Sequence, residues 1–148
     1  MMVRKKKRPT AKLVPSERKQ VKIENPPPQF QGGVLAWRFN AVDKGGPFAW
    51  SKLTCPKTYK KVLEKLISFE AMTESDMKAA GCHPIELTNV CSDAQKRLVE
   101  IGLDDLDSLY SFRISGKVRV LAVTRKHYIR ILWYDPEHQV CPAPKKHT

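Results

Sequence analysis

The sequence predicts an α+β domain in which helices pack on one side of a small antiparallel sheet. Two observations lead to this fold class. Between residues 56 and 101, apolar residues recur at spacings of three and four, as on the inner face of amphipathic helices. From residue 110 to residue 134 they alternate with polar residues, as in half-buried strands joined by short turns. A first strand, then helices, then a three-stranded meander is an order typical of α+β domains.

Size and hydropathy restrict the class of protein. The chain has 148 residues, the size of one domain, and 41% of them are hydrophobic, as in ordinary soluble proteins. Its longest apolar runs are four residues, whereas a membrane-spanning helix needs about 20. No apolar segment follows the basic N-terminus. We therefore expect no membrane span and no secretory signal, and a cytoplasmic protein.

Residues 1–33 are predicted to form a flexible basic arm. Residues 1–22 contain nine Lys or Arg and one Glu, in a chain of net charge +12. Pro26–Pro28 favours an extended backbone, and Gly32–Gly33 loosens the chain after it. Such an arm is attracted to polyanions, of which nucleic acid is the commonest, and the residues assigned to this contact are Lys5, Lys6, Lys7 and Arg8. The alternative, a tail that only aids solubility, stays open.

The folded domain is predicted to span residues 34–140, followed by a tail over residues 141–148. The segment "VLAWRFN" alternates large apolar residues with smaller or polar ones and predicts the first strand. The first helix is predicted to begin at Pro56, since the missing N–H of proline costs nothing at the first helical position. The apolar stripe of this helix consists of Tyr59, Val62, Leu63, Leu66 and Phe69.

Two shorter helices are predicted to follow. Thr73 and Asp76 have the spacing of a capping box and predict a helix over residues 74–80, which a glycine ends. Ser92 and Gln95 repeat this spacing before "AQKRLVEI", and a second glycine ends that helix. The inner face of the last helix is predicted to consist of Ala94, Leu98 and Ile101.

The meander is predicted to have strands over about residues 110–114, 117–124 and 128–134. Because side chains alternate along a strand, Arg113, Arg119 and Arg130 are predicted to share its outer face. Such cations repel one another unless solvent or an anion screens them, and guanidinium can fork two hydrogen bonds to phosphate. The predicted nucleic-acid contacts of this face are Lys117, Arg125 and Arg130. A solvated basic face without a ligand is the alternative.

The last strand ends at a cluster of polar residues. Asp135 and Pro136 break the strand, and Glu137 and His138 follow directly. A histidine at this position can accept or donate a proton near neutral pH. The four cysteines contain no CxxC pair, so we predict neither a metal site nor a cofactor, and we expect reduced thiols.

The predicted pair of helices and the meander after it resemble the C-terminal half of the RelE/ParE superfamily of bacterial toxins. The segment that carries the resemblance reads "SFRISGKVRVLAV…IRILWYDPEH". In that family one strand carries an arginine, the next reads roughly "[KH]-x-R-[VIL]-x-[VYF]", and the last ends in His or Tyr. Residue by residue, the resemblance assigns Arg113, Arg119 and His138 to these positions, with Tyr134 and Glu137 nearby. It covers residues 56–138. The basic arm, the first strand and Pro136 depart from the family pattern.

The resemblance implies cleavage of mRNA without a metal ion, in many family members at the ribosome. In this reaction the ribose 2′-OH attacks the adjacent phosphate and the 5′-oxygen leaves. His138 or Glu137 would transfer protons, while Arg119, helped by Arg113 and Lys117, would stabilise the transition state. The implied partners are RNA or the ribosome, and an antitoxin protein that covers the basic face.

Two other functions fit the same residues. A nucleic-acid-binding or ribosome-binding module without catalysis would use the arm and the basic face, and its binding would weaken strongly with salt. A toxin-like fold that inhibits a protein target, as some family members do with gyrase, would bind little RNA. RNA cleavage that depends on Arg119 and His138 would distinguish the RNA-cleaving toxin from the binding module and from the inhibitor of a protein target.

Overall fold

The computed structural model describes residues 35–125 and 128–142. Within this part of the chain the strands are β1 (Ala36–Arg38), β2 (His83–Glu86), β3 (Ser108–Ser115), β4 (Val118–Arg125) and β5 (Tyr128–Asp135). The α-helices there are α1 (Pro56–Glu70), α2 (Glu74–Ala79) and α3 (Ser92–Glu100). The α+β class is thus confirmed. The predicted arm, with Lys5, Lys6, Lys7 and Arg8, and most of the predicted tail lie outside the described residues.

The strands form one mixed sheet in the order β1-β5-β4-β3-β2. The antiparallel pairing of β3 with β4 and of β4 with β5 confirms the predicted meander. The prediction of a wholly antiparallel sheet is wrong, because β1 runs parallel to β5. A parallel pair needs a long crossover, and the helical region between β1 and the meander supplies one.

The edge strand β2 was not predicted from the sequence. It reads "HPIE" and pairs antiparallel with β3, so that Pro84 lies opposite Tyr110. Proline cannot donate a ladder hydrogen bond, which excludes it from central strands but not from an edge. A four-residue segment that contains proline has little sequence preference for a strand. Its strand conformation depends on the pairing with β3.

Hydrophobic clusters cover both faces of the sheet. The first cluster contains Phe69 of α1 and Met77 of α2, packed with Phe112 and Val120. The second contains Ala94 and Leu98 of α3, packed with sheet residues on the opposite face, which are Leu109, Leu121, Val123, Leu132 and Trp133. The prediction that helices pack on one side is therefore wrong. The consecutive apolar residues 120–123 indicate a strand buried on both faces.

A bulge in β5 reverses which face its side chains occupy. Leu121 lies opposite Trp133 and Ala122 opposite Ile131, so Leu132 is the extra residue. Ile131 packs in the first cluster, whereas Leu132 and Trp133 both pack in the second. Strict alternation along β5 would place Trp133 on the same face as Ile129 and Ile131, and the bulge moves it to the opposite face.

The helix ends follow the predicted signals in part. Pro56 is at the first turn of α1, and the capping box of α2 forms between Thr73 and Asp76. In α3, however, the N-cap is Cys91, and the Gln95 amide donates to the Val90 carbonyl over 2.9 Å instead of forming a box with Ser92. Tyr59 and Leu63, predicted to be buried, are exposed beside the buried stripe of α1.

A buried carboxylate fastens the loop after β1 to α3 and β5. Asp43 is 6% exposed and accepts two hydrogen bonds from Arg97, at 2.7 and 2.9 Å, and one from the Trp133 indole at 2.9 Å. Its Oδ1 also accepts from the Gly45 amide. Burial alone would raise the pKa of Asp43, but these hydrogen bonds outweigh it and hold the pKa below its ordinary value.

Candidate functional site

The candidate site begins with a row of three charged residues across the sheet. Arg113 of β3 lies opposite Arg119 of β4, and Arg119 lies opposite Asp135 of β5. The row is on the face that carries the second cluster, since Arg119 alternates with Leu121 and Val123 of that cluster. Directly opposed residues have Cβ atoms about 5 Å apart. The two arginine side chains therefore start from neighbouring positions on one face.

Arg119 is held at the turn between β3 and β4. One of its guanidinium nitrogens, Nη1, donates to the Gly116 carbonyl over 2.6 Å and to the Val118 carbonyl over 3.2 Å. Burial, followed by the charge of Arg113, lowers the pKa of Arg119, while Asp135 opposes this effect. Arginine remains protonated all the same. A partly desolvated cation beside a second cation favours an anionic ligand that stabilises both.

Arg113 extends over the chain that leads into β2. A Cβ built on Gly81 would lie 2.8 Å from Cδ of Arg113, so the arginine stem packs directly on this glycine. Gly81 has φ +91°, a conformation that favours glycine. The glycine thus ends α2, as predicted, and also makes room for the Arg113 side chain. Arg113 itself is exposed to solvent.

Asp135 builds the turn that positions His138. Its carboxylate is 1% exposed and accepts hydrogen bonds from the Gln139 and Val140 amides, each at 2.9 Å. Val140 packs in the second cluster, and its carbonyl accepts from the Cys91 amide at 2.7 Å. The chain after β5 therefore turns back toward the start of α3. This turn lies on the face that carries Arg113 and Arg119.

His138 is half-buried and electrostatically coupled to that row. Burial lowers the pKa of His138, and so do the charges of Arg119, His83 and Arg113, while Asp135 opposes them. The neutral imidazole is thus the favoured form near pH 7. Neutral imidazole accepts a proton, which is what a general base requires. The backbone of His138 has φ 56°, so the turn holds it in a left-handed conformation.

The structure separates the predicted nucleic-acid residues into two groups. Lys117 is exposed in the turn next to Arg119. Arg130 shares the face of Arg119, as predicted, but this face carries the second cluster and is not an outer, solvated face. Arg130 lies opposite Val123 and Arg38. Val123 is four residues from Arg119 along β4, about 13 Å at the rise of a strand. Arg125, at the end of β4, is exposed on this distant side as well.

Glu137 lies in the turn after β5, directly before His138 in the sequence. It is exposed, and its charge contributes to raising the pKa of Tyr134, after the larger effect of burial. Tyr134 packs in the first cluster, on the opposite face of the sheet from Arg113 and Arg119. The electrostatic coupling of Glu137 is therefore to the other face. Its predicted role in proton transfer stays a prediction.

Two participants were missed by sequence reasoning. His83 was missed because β2 was not recognised, and only the pairing of β2 with β3 brings it beside Arg113. Asp135 was read as a strand breaker, although an Asp followed by a proline is also a signal for a side chain that caps a turn. That signal would have identified its hydrogen bonds to the following amides.

Within residues 35–125 and 128–142, no group of three or more His, Cys, Asp and Glu side chains is arranged to hold a metal ion. The helices of the same ranges are all too short or too polar to cross a bilayer. Comparisons with family models, curated proteins and solved structures find nothing that matches this chain.

Proposed function

We propose that this protein is an RNA endonuclease of the RelE/ParE toxin type, which cleaves mRNA without a metal ion. The observation that carries the proposal is the opposed pair of Arg113 and Arg119 next to His138, whose pKa is lowered by burial and by their charges. This arrangement combines two cations for a phosphate with a base that is neutral at physiological pH. The site of action would be the cytoplasm, where mRNA is translated.

The proposed reaction is an internal transfer at phosphorus. His138 removes the proton of the ribose 2′-OH, the 2′-oxygen attacks the adjacent phosphorus, and the bond to the 5′-oxygen breaks. The products are a 2′,3′-cyclic phosphate and a 5′-hydroxyl. Negative charge builds on the non-bridging oxygens in the transition state, where preorganised donors stabilise it most. Arg119, fixed by two carbonyls, and Arg113 would supply these donors.

The test is RNA cleavage by the full chain and by variants. We expect 5′-hydroxyl and 2′,3′-cyclic phosphate ends on a mixed-sequence RNA in the presence of EDTA. A separate assay with added ribosomes keeps the Mg²⁺ that ribosomes need. Arg119→Ala and His138→Asn should each lower the rate by about 10²-fold or more. Asn is chosen because it tolerates the left-handed backbone of residue 138.

Lys61→Ala provides a matched control, since it removes an exposed cation from α1, which packs on the other face of the sheet. Its rate should equal that of the wild type. Unchanged cleavage by both site variants would exclude the assigned residues. Intact RNA with the folded wild type would exclude the nuclease.

A second candidate function is nucleic-acid or ribosome binding without cleavage. It is favoured by the basic residues at the far end of the same face, where Arg130 lies opposite Arg38 and Arg125 is exposed. Cations that are about 13 Å from Arg119 along the sheet can contact phosphates but lie outside the proposed reaction site. For the toxin, an antitoxin protein that covers this face would be the partner, and co-purification of such a partner would test it.

A further inference from the structure

His83 lies at the start of β2 on the edge of the sheet, and its position has no role in the reaction above. It pairs with Ser111, two residues before Arg113 on β3. Ile85, two residues further along β2, packs in the second cluster, so His83 shares the face of Arg113 and Arg119. The residue is exposed. It is thus open to a ligand that contacts the arginine row.

One hydrogen bond fixes the chemistry of the His83 ring. Its Nδ1 lies 3.0 Å from the Pro84 carbonyl oxygen. Because a carbonyl oxygen can only accept, Nδ1 must carry the proton of this hydrogen bond. Nε2 is then the atom that gains or loses a proton. Nδ1 thus holds the ring on the Pro84 carbonyl, and Nε2 is the nitrogen that can contact solvent or substrate.

The turn after β5 brings His138 toward the same region. It leaves the sheet at Asp135, beside Arg119, and reaches Cys91 through the hydrogen bond to the Val140 carbonyl. Cys91 follows β2 after one short 3-10 turn over Leu87–Asn89. The turn therefore crosses from the β5 side toward the β2 side of the sheet. The charges of His83, Arg113 and Arg119 all reach His138.

The geometry points to His83 as the second proton-transfer residue of this site, the general acid for a phosphodiester held by Arg113 and Arg119. This inference rests on the proposed function and names the group that completes its reaction. His138 takes the proton of the 2′-OH as the 2′-oxygen bonds to phosphorus. Protonated His83 gives the proton on Nε2 to the 5′-oxygen as the P–O5′ bond breaks. His138 gains one proton and His83 loses one, so the step balances without an oxidant or a metal ion.

His83 fits the general acid better than Glu137. The charge of Glu137 acts on Tyr134 of the first cluster, across the sheet from the arginine row. His83, by contrast, lies on the same face as Arg113 and Arg119, and imidazole is the side chain that enzymes use most often for proton transfer.

The experiment measures the pH dependence of RNA cleavage by the full chain between pH 5 and pH 9. A base that must be neutral makes the rate rise with pH, and an acid that must be protonated makes it fall at higher pH. The wild type should show both limbs. His83→Asn should lose the alkaline limb, and His138→Asn the acidic limb, each with a rate lower by about 10²–10⁴-fold.

The Asn side chain retains an N–H for the Pro84 carbonyl, so His83→Asn removes proton transfer while it preserves the local hydrogen bond. Lys61→Ala is again the control, because α1 packs on the other face of the sheet, and its pH profile should equal that of the wild type. Circular dichroism should show all variants folded.

The outcomes are distinct. Wild-type cleavage that is equally fast with His83→Asn overturns the inference and leaves the nuclease standing. A slower His83→Asn with both limbs preserved assigns His83 a positioning role and overturns its role as acid. No cleavage by the wild type overturns the proposed function and this inference together. Loss of the alkaline limb in His83→Asn alone supports the inference.

Discussion

At the scale of single residues, His138 combines backbone strain with a perturbed side chain. A left-handed backbone costs a non-glycine residue about 1–2 kcal/mol, and the surrounding structure must enforce it. Here Asp135 does so, by accepting the amides of Gln139 and Val140 directly after the histidine. The backbone of His138 is therefore held in place by this turn. A group that must meet a phosphate repeatedly at one angle benefits from such a fixed position.

The titration of His138 gives the first prediction. Its pKa should lie below the ordinary value of about 6.5, because burial and the Arg119 charge disfavour the protonated form. In Arg119→Gln the pKa should rise, since a positive charge beside the imidazole is removed. NMR titration of the histidine ring protons measures both values. Lys61→Gln, on the other side of the sheet, should leave the pKa unchanged.

A pKa of His138 that is equal in the wild type and in Arg119→Gln would mean that the two side chains do not interact. A pKa above the ordinary value would indicate that Asp135 dominates the site instead. Either result would remove the reason to assign His138 as the base.

Some of these residues could be predicted from the sequence and others could not. Strand alternation sufficed for the common face of Arg113, Arg119 and Arg130, and the register confirms it. Alternation carries no information about distance along the strands, so the separation of Arg130 from the other two was missed. His83 depends on a strand pairing between segments distant in sequence. Local patterns cannot reveal such a contact.

At the scale of elements, the loop after β1 is held by an ionic and hydrogen-bonded cluster. Asp43 binds Arg97 of α3 and Trp133 of β5, and its backbone amide donates to the Leu132 carbonyl at the bulge. Trp133 is fully buried, so its N–H has no access to water as a substitute partner. The cluster thus couples α3 to the strand that ends at Asp135. The stability of this region depends on one carboxylate.

The second prediction concerns this carboxylate. Asp43→Asn should lower the free energy of unfolding by about 1–3 kcal/mol at pH 7, because it weakens hydrogen bonds from a buried indole and a guanidinium. Urea denaturation followed by tryptophan fluorescence measures it. The pKa of Asp43 is depressed in the folded state, so its contribution is complete above the unfolded value of about 3.9. It is lost as the pH falls through the lower, folded pKa.

The difference between wild type and Asp43→Asn should therefore shrink as the pH is lowered below about 4. Glu64→Gln is the matched control, since it removes an ion pair between side chains that are 77% and 63% exposed. Its effect should stay within about 0.5 kcal/mol. An equal effect of the two substitutions would show that burial of Asp43 contributes nothing.

The elements also show where sequence patterns suffice. Pro56, the Thr73–Asp76 box and the terminal glycines are local signals, and each occurs where it was predicted. The box expected at Ser92 fails, because the Val90 carbonyl competes for Gln95. The parallel partner of β1 and the bulge at Leu132 depend on contacts across the sheet. Local propensity does not determine such features.

At the scale of the whole molecule, the charged residues divide one sheet face into two basic ends. Arg113, Lys117 and Arg119 lie at one end, and Arg125 and Arg130 at the other, with the second hydrophobic cluster between them. Arg38 extends the distant end and stacks 4.7 Å over the Tyr128 ring. A single RNA strand that touches both ends would cross the face that carries α3. The two ends should then contribute separately to binding and to cleavage.

The salt dependence of RNA binding tests this division and is the third prediction. Each phosphate contact to a single strand adds about 0.7 to the slope of log K against log salt. Arg113→Gln and Arg130→Gln should each reduce the slope by about this amount, because each removes one cation from the path. Only Arg113→Gln should also slow cleavage, since Arg130 is about 13 Å from the row that contains Arg119. Fluorescence anisotropy at several salt concentrations, paired with cleavage rates, separates the two effects. A slope unchanged in Arg130→Gln would confine RNA to the end that carries His138, and an unchanged slope in both would exclude this face as the RNA surface.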